Sequence, residues 1–222
     1  MDSIWARPER AATGRPARHT RAEITAAALA IADAEGLDAV SMRRVAADLG
    51  TGAASLYRYV ATRDELLDLM TDAAGAEYEL TAPTGDWLAD LIAIGEQGRA
   101  VLRRHRWLAE LAVTRPVIGP NGVALMEHVL EALRPHPAGT AAKLEAFAML
   151  NAVTATFVLQ ELGDPQLQQR NIAYLHHAIA SGAHPCLAAG RAQPPAPADL
   201  NPVDRYPDLM ARILTGVLGP IA

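Results

Sequence analysis

The chain is poor in the residues that staple, ligate or catalyse. Its 222 residues include one cysteine, Cys186, so no disulfide can form within it. A reducing, cytoplasmic setting is the expectation that follows. That lone thiol sits in a Pro-rich stretch, where it reads as incidental rather than as a redox sensor. Seven histidines are present, but no Cys/His spacing suits zinc, and the adjacent His176 and His177 cannot share one helix face. Neither a Gly-x-Ser-x-Gly elbow, a phosphate loop nor an HExxH pair occurs, so no enzyme, no cofactor and no metal are expected. The start of the chain has no cationic stretch followed by an apolar run, and no signal peptide is read there. The most apolar window, Phe147 to Leu159, is short and carries Asn151, Thr154 and Thr156, so no membrane span is expected. Strand-like alternation is absent.

What is present is alanine, arginine and helical periodicity. Half of the residues are hydrophobic, enough for a substantial core. Lys143 is the single lysine, so the cationic charge is almost wholly guanidinium. The net charge of −5 hides an asymmetry: residues 1–63 carry +2 and residues 64–222 carry −7. Five arginines stand before Ala22 against Asp2 and Glu9. Positive charge gathered at one end of an acidic chain fits phosphate neutralisation there, with the body repelling stray nucleic acid.

Residues 1–19, with Pro8, Gly14 and Pro16, read as a flexible basic arm. A first helix starts after Thr20 with a capping box to Glu23, carries Ile24, Ala28 and Ile31, and ends at Gly36. Ser41 caps a second helix that stops at Gly50, and a third spans Ala53–Val60. Thr62 and Glu65 form another capping box, for a fourth helix over 62–80. This is a helix-turn-helix with a support helix, a DNA-binding head over 20–66. Pro83 and Gly85 mark a boundary to a body over 84–222. There the spacing predicts helices at Asp86–His105, Trp107–Ala112, Gly119–Arg134, Thr140–Leu162 and Pro165–Ser181, a loop over 183–203, and a last helix from Tyr206 to Leu218. The fold class is therefore all-α in two domains.

The run Ser41-Met-Arg-Arg-Val-Ala-Ala-Asp-Leu-Gly, followed by Ala-Ser-Leu-Tyr-Arg-Tyr-Val and Thr-Arg-Asp-Glu-Leu-Leu, resembles the DNA-binding domain of the TetR family of bacterial transcription regulators. The resemblance covers about residues 18–67. More weakly, Trp107-Leu-Ala-Glu-Leu and Thr114-Arg-Pro with a Gly-Pro-Asn turn resemble the tetracycline-repressor-type C-terminal domain. The resemblance implies a homodimer on a palindromic double-stranded operator, released when a small molecule enters the body. Where tetracycline repressors place a metal-binding histidine, this chain has Leu111, and a later carboxylate position falls on Gln160. A metal-chelated tetracycline is therefore not the expected effector; a largely apolar one is.

Candidate DNA contacts follow from residue type and place. Thr51, Ala53, Ala54 and Ser55 open the recognition helix, where small side chains allow close approach to base edges. Tyr57 and Tyr59 can donate to phosphate, and Arg58 between them can take guanine or phosphate. Arg43, Arg44 and Arg63 lie in first helical turns, where a cation opposes the helix dipole unless a phosphate is near. Arg15 and Arg18 in the arm suit a minor groove. A ligand pocket in the body is expected from Trp107, Leu111, Met126, Met149, Asn151, Thr154, Phe157 and Gln160. Two further readings compete: a dimeric regulator or architectural protein without an effector, and an all-α enzyme with a coincidental helix-turn-helix.

Overall fold

The structure is a computed structural model and describes residues 3–7, 19–191 and 205–219. Among them every regular element is helical, and no strand occurs. In the head, α1 (Arg21–Glu35) opens on the expected capping box: Thr20 accepts from the Glu23 N–H, and the Glu23 carboxylate accepts from the Thr20 N–H. It buries Ile24, Ala28, Ile31 and Ala32 and ends at Gly36, whose φ of +86° suits a residue without Cβ. A 3-10 turn at Leu37–Ala39 leads to α2 (Met42–Asp48), capped by Ser41.

The recognition helix α3 (Ala53–Leu56) is shorter than the expected Ala53–Val60. Leu56, Tyr59 and Val60 are all buried, on the one face that helical i, i+3, i+4 spacing gives them. Past Leu56 the chain tightens into a turn in which the Leu56 carbonyl accepts from both the Tyr59 and the Val60 N–H. Helix α4 (Arg63–Gly75) starts on the Thr62 cap, but Glu65 reaches the N–H of Ala61 rather than that of Thr62. It stops at Gly75, short of the expected Leu80, where the body's third helix crosses it and the side chain of Asn121 closes on that glycine.

The body follows as α5 (Trp87–Arg104), α6 (Leu108–Thr114), α7 (Pro120–Ala132), α8 (Thr140–Glu161), α9 (Pro165–Ala180), α10 (Pro185–Arg191) and α11 (Tyr206–Leu218). Helix α10 lies inside the stretch expected to be a loop; residues 192–204 fall outside the described set. By length and composition α8 could cross a membrane. Its contacts with α5, α6, α7 and α11 instead make it the central helix of the body.

Two apolar cores result, and they do not divide at the domain boundary. One joins the head's Ile24, Val45, Leu56, Leu66 and Met70 to Val101, Leu102, Leu108, Ala109, Ala155 and Val158 of the body. The other lies within the body, around Leu91, Leu125, Val129, Leu133, Phe147, Leu150, Tyr206, Met210 and Leu214.

A polar joint ties the two domains beside the first core. His105, buried at the end of α5, places Nδ1 2.8 Å from Asp33 of α1 and Nε2 2.7 Å from Glu77 just after α4. The Trp107 indole N–H also donates to Asp33, at 2.7 Å. A neutral imidazole has one N–H and could serve one carboxylate only; the cation serves both. Burial lowers the imidazole pKa, but the hydrogen bonds to Glu77 and Asp33 outweigh it and the net shift is upward. A raised pKa contributes stability in full below the ordinary value near 6.5 and loses it as pH climbs through the folded value. The melting-point gap between the protein and His105→Ala should therefore be widest in mild acid and narrow as pH rises. A gap that widens with pH would sink the cationic clamp.

Candidate nucleic-acid interface

The recognition helix begins at Gly52, which has no side chain, and continues with Ala53, Ala54 and Ser55. Ala54 is exposed; Thr51, Ala53 and Ser55 are half-buried. Behind them Leu56 and Val60 are fully buried, in one core with residues of α1, α2 and α4. The result is a thin outer wall with no bulky group in its first turn, the shape that lets main chain approach a groove closely.

Tyr57 and Arg58 are both exposed, with about half of the Tyr57 surface free. Tyr59 differs from the expectation. It is 7% exposed and belongs to the head core, so Tyr57 is the tyrosine that can face a phosphate. The alternation follows helical spacing, which puts positions two apart on opposite sides.

Arg43 is exposed on α2, while Arg44 is ion-paired to Glu35 at 2.6 Å. Such an exposed pair contributes little and gives way readily to a phosphate. Arg63 is held differently: its Nε donates to the Val40 carbonyl and its Nη2 to the Leu37 carbonyl, each at 3.2 Å. Those bonds close the 3-10 turn before α2 and explain a cation at a helix start without any ligand. Arg63 remains exposed, so its charge still adds to the field on this face. Arg15 and Arg18 lie outside the described residues.

Arg21 was not singled out by the sequence. Its Nε donates to the Tyr59 carbonyl at 3.1 Å, and its Nη1 to the carbonyls of Ile4 and Arg7 at 2.9 and 3.0 Å. It thus binds the turn after the recognition helix to a 3-10 turn at Ile4–Ala6. Ile4 is buried in the head core and Arg7 pairs with Glu65 at 2.6 Å. Over residues 3–7, then, the expected flexible arm is a docked turn, because Ile4 supplies an apolar anchor that composition alone conceals. No periodicity announces this in a two-turn segment.

The residues expected to line a body pocket are not brought together. Trp107 and Leu111 lie with the head-side core, and Met126 lies with the body core. Met149 and Gln160 are exposed on the outer side of α8, where α5, α6, α7 and α11 do not cover it, and Asn151 is exposed on another side of the same helix. Thr154 and Phe157 do meet, around Tyr206 of α11. The Thr154 and Tyr206 hydroxyls are 2.6 Å apart, and Phe157 stacks edge-on against the Tyr206 ring at 5.4 Å. Gly95 and Gly98 of α5 leave room for the hydroxyls of Tyr206 and Tyr78. Burial pushes each of these phenols up to about 12, helped for Tyr78 by Tyr206. Arg99, 1% exposed, sits 5.0 Å over the Tyr206 ring and bonds Glu161, which also takes Arg103 at 2.7 Å. Burial of Glu161 raises its pKa, but the hydrogen bonds from Arg103 and Arg99 prevail and hold it below the usual carboxylate range. Two signals could have located this set: the glycine pair in α5 and a lone arginine in an otherwise apolar helix face.

A small-walled recognition helix with an exposed Tyr-Arg pair, mounted on a helical body, defines a helix-turn-helix transcription regulator. The profile described as "Bacterial regulatory proteins, tetR family" matches residues 24–70, and that described as "Tetracyclin repressor-like, C-terminal domain" matches residues 81–219. The chain belongs to the TetR family. It is 37% identical over 202 residues to the HTH-type transcriptional repressor DrrR1 of Streptomyces coeruleorubidus, covering 85% of this chain and 75% of that protein. Its fold is similar to that of ActR of Streptomyces coelicolor in complex with (S)-DNPA, with a TM-score of 0.78, 32% identity, and coverage of 92% and 98% of the two chains. ActR in complex with actinorhodin gives a TM-score of 0.77 at 31% identity, covering 91% of this chain and 97% of that one.

Arg21→Ala should loosen the head, since three buried or half-buried carbonyls lose a charged donor, a cost of about 1–3 kcal/mol. Amide exchange in α1 and α3 reads this directly. Unchanged protection there would show that Arg21 holds nothing.

Proposed function

We propose that the protein is a repressor that grips a palindromic operator as a homodimer and lets go when an aromatic, mainly apolar molecule enters its body. One observation carries the DNA half of this reading: the glycine- and alanine-built start of α3, flanked by exposed Tyr57 and Arg58, on a head whose other helices anchor it from behind. In the complex, Thr51, Ala53, Ala54 and Ser55 meet base edges, while Arg43, Arg44, Tyr57, Arg58 and Arg63 hold phosphates. Few of the base-facing groups can form hydrogen bonds, so shape readout and thymine-methyl contact carry much of the sequence preference. The head over 20–66 does the reading and the body over 84–222 does the sensing and pairing, in the cytoplasm.

Dimerisation is supported by apolar groups that one chain leaves uncovered. On α8 the exposed positions Ala148, Met149, Ala152, Thr156 and Leu159 recur at helical spacing on one side. Val217 extends this surface on α11, and α9 buries none of its residues although it carries Leu167, Ile172, Tyr174 and Leu175. Two helices from each copy make a four-helix bundle of ordinary geometry. On this reading Met149 and Gln160 serve pairing rather than the effector.

The effector half rests on likeness to ActR, solved with (S)-DNPA and with actinorhodin, together with the buried polar set of Arg99, Thr154 and Tyr206 beside Phe157. Aromatic rings flanked by a guanidinium and hydroxyls suit a flat ligand that carries phenol or carboxylate oxygens. A differential affinity of a few kcal/mol between the two body states is enough to empty the operator.

Selection from random DNA on the purified protein should enrich a palindrome whose half-sites lie about one helical turn, ~34 Å, apart. Arg58→Ala should weaken binding and lower the salt slope by about 1 if the guanidinium holds a phosphate. Actinorhodin and (S)-DNPA should raise the melting point and displace the selected DNA. Enrichment of non-palindromic DNA would defeat the dimer, and thermal stabilisation without release would defeat the effector switch.

A further inference from the structure

Helix α7 begins without a cap of its own. Its N-cap is Gly119 and its first residue is Pro120, so neither offers a side chain to the free N–H groups of the first turn. Those groups are taken from outside the helix, by the head's exit helix. Asp72 of α4 accepts from the Asn121 N–H and from the Gly122 N–H, both at 3.1 Å on Oδ1. In return the Asn121 side-chain amide donates to Asp72 Oδ2 and to the Asp72 main-chain carbonyl, each at 3.0 Å. The carboxylate is 8% exposed, and it lies at the positive end of the α7 dipole. The bond to the main-chain carbonyl fastens the backbone of α4, not only a side chain.

The surroundings are shaped for this contact. A methyl group on Gly119 would overlap both the Asp72 carboxyl group and the Trp5 ring. A methyl group on Gly75, one turn along α4, would lie 3.4 Å from Asn121 Cβ, so the two helices cross closely there. Trp5 belongs to the docked N-terminal turn, whose carbonyls hold Arg21, and Arg21 in turn holds the carbonyl of Tyr59 beside the recognition helix. Asp72 and Trp5 thus both close on Gly119 at the start of α7, and the docked turn that carries Trp5 is tied through Arg21 to the Tyr59 carbonyl in the head.

We propose that Asp72 is a positioning residue that sets the angle of the DNA-reading head on the body by capping α7 from α4, with the N-terminal turn at Ile4–Ala6 wedged behind it. A helix cap is directional: the carboxylate keeps its two N–H bonds in one orientation of α4 only. Tilting α4 breaks them together, so the contact gives the head one preferred setting that movement of α7 can carry with it. The proposal rests on the reading of the head as the DNA-binding part, but its test requires neither DNA nor effector.

The test is the head-to-body distance measured between spin labels on the full chain. Labels go on Ala47→Cys of α2 and Ala141→Cys of α8, both exposed, in a Cys186→Ser background. Labelled chains are diluted into an excess of unlabelled protein, so that only distances within one chain are read. The unaltered contact should give a single narrow distribution. Asp72→Ala should lose it, giving a broad or displaced one, while Asp72→Asn, which keeps an acceptor for both main-chain N–H groups but turns a second donor on the Asn121 amide, should fall between the two. Gly119→Ala, which leaves Asp72 in place but fills its space, should shift the distribution as well, and it serves if Asp72→Ala fails to fold. A lowered melting point with an unmoved distribution, in Asp72→Ala or in Gly119→Ala, would reduce Asp72 to a stabilising cap and overturn the proposal.

Discussion

A head of about 50 residues encloses too little apolar volume to be secure alone. Here that shortage shapes the whole molecule. The head's core does not close at its own edge; Val101, Leu102, Leu108 and Ala109 of the body complete it, and Ala155 and Val158 of α8 lie beneath them. The helix-turn-helix unit is thereby completed partly by residues of the C-terminal unit. A regulator benefits from this arrangement, since a shift of α5, α6 or α8 disturbs side chains on which the head itself rests.

The polar groups at the same boundary give the shared core its register. Apolar contact is nondirectional and would allow α4 to slide or tilt. Asp72 on the α7 terminus, His105 between Asp33 and Glu77, and Arg21 on three carbonyls are directional, and each sits where two or more elements meet. Burial makes them costly to leave unpaired, so the arrangement in which all are satisfied stands apart from its neighbours. Arg99 with Glu161 performs the same service deeper in the body, where a single unpaired guanidinium would be far more destabilising than its absence.

Helix α8 shows how one amphipathic judgement can be half right. Its apolar residues circle the axis, which requires cover on more than one side. One chain covers the side that carries Ala146, Phe147, Leu150, Thr154, Ala155 and Val158 and leaves the side with Met149, Ala152 and Leu159 open. Spacing alone could not divide the residues that the chain covers from those it leaves open, because both are apolar and both are helical. The division came from where α5, α6, α7 and α11 happen to lie.

The sequence by itself determined the helices and most of their starts, since capping is local chemistry: Thr20 with Glu23, Ser41, Thr62 and Asp86 all cap the helices that follow them. It also determined the family, because the recognition helix and its flanking caps must occur in a fixed order to present small side chains at a groove. Tertiary structure decided everything that depends on meeting a distant partner. It tightened the chain past Leu56, which ends α3 there, and it docked Ile4, whose neighbours are remote in the chain. It gave α7 a cap from another helix. A missing cap at Gly119 is visible in the sequence, but the residue that supplies it is not, because the carboxylate comes from a helix 49 positions away and only the folded crossing of α4 and α7 brings it there.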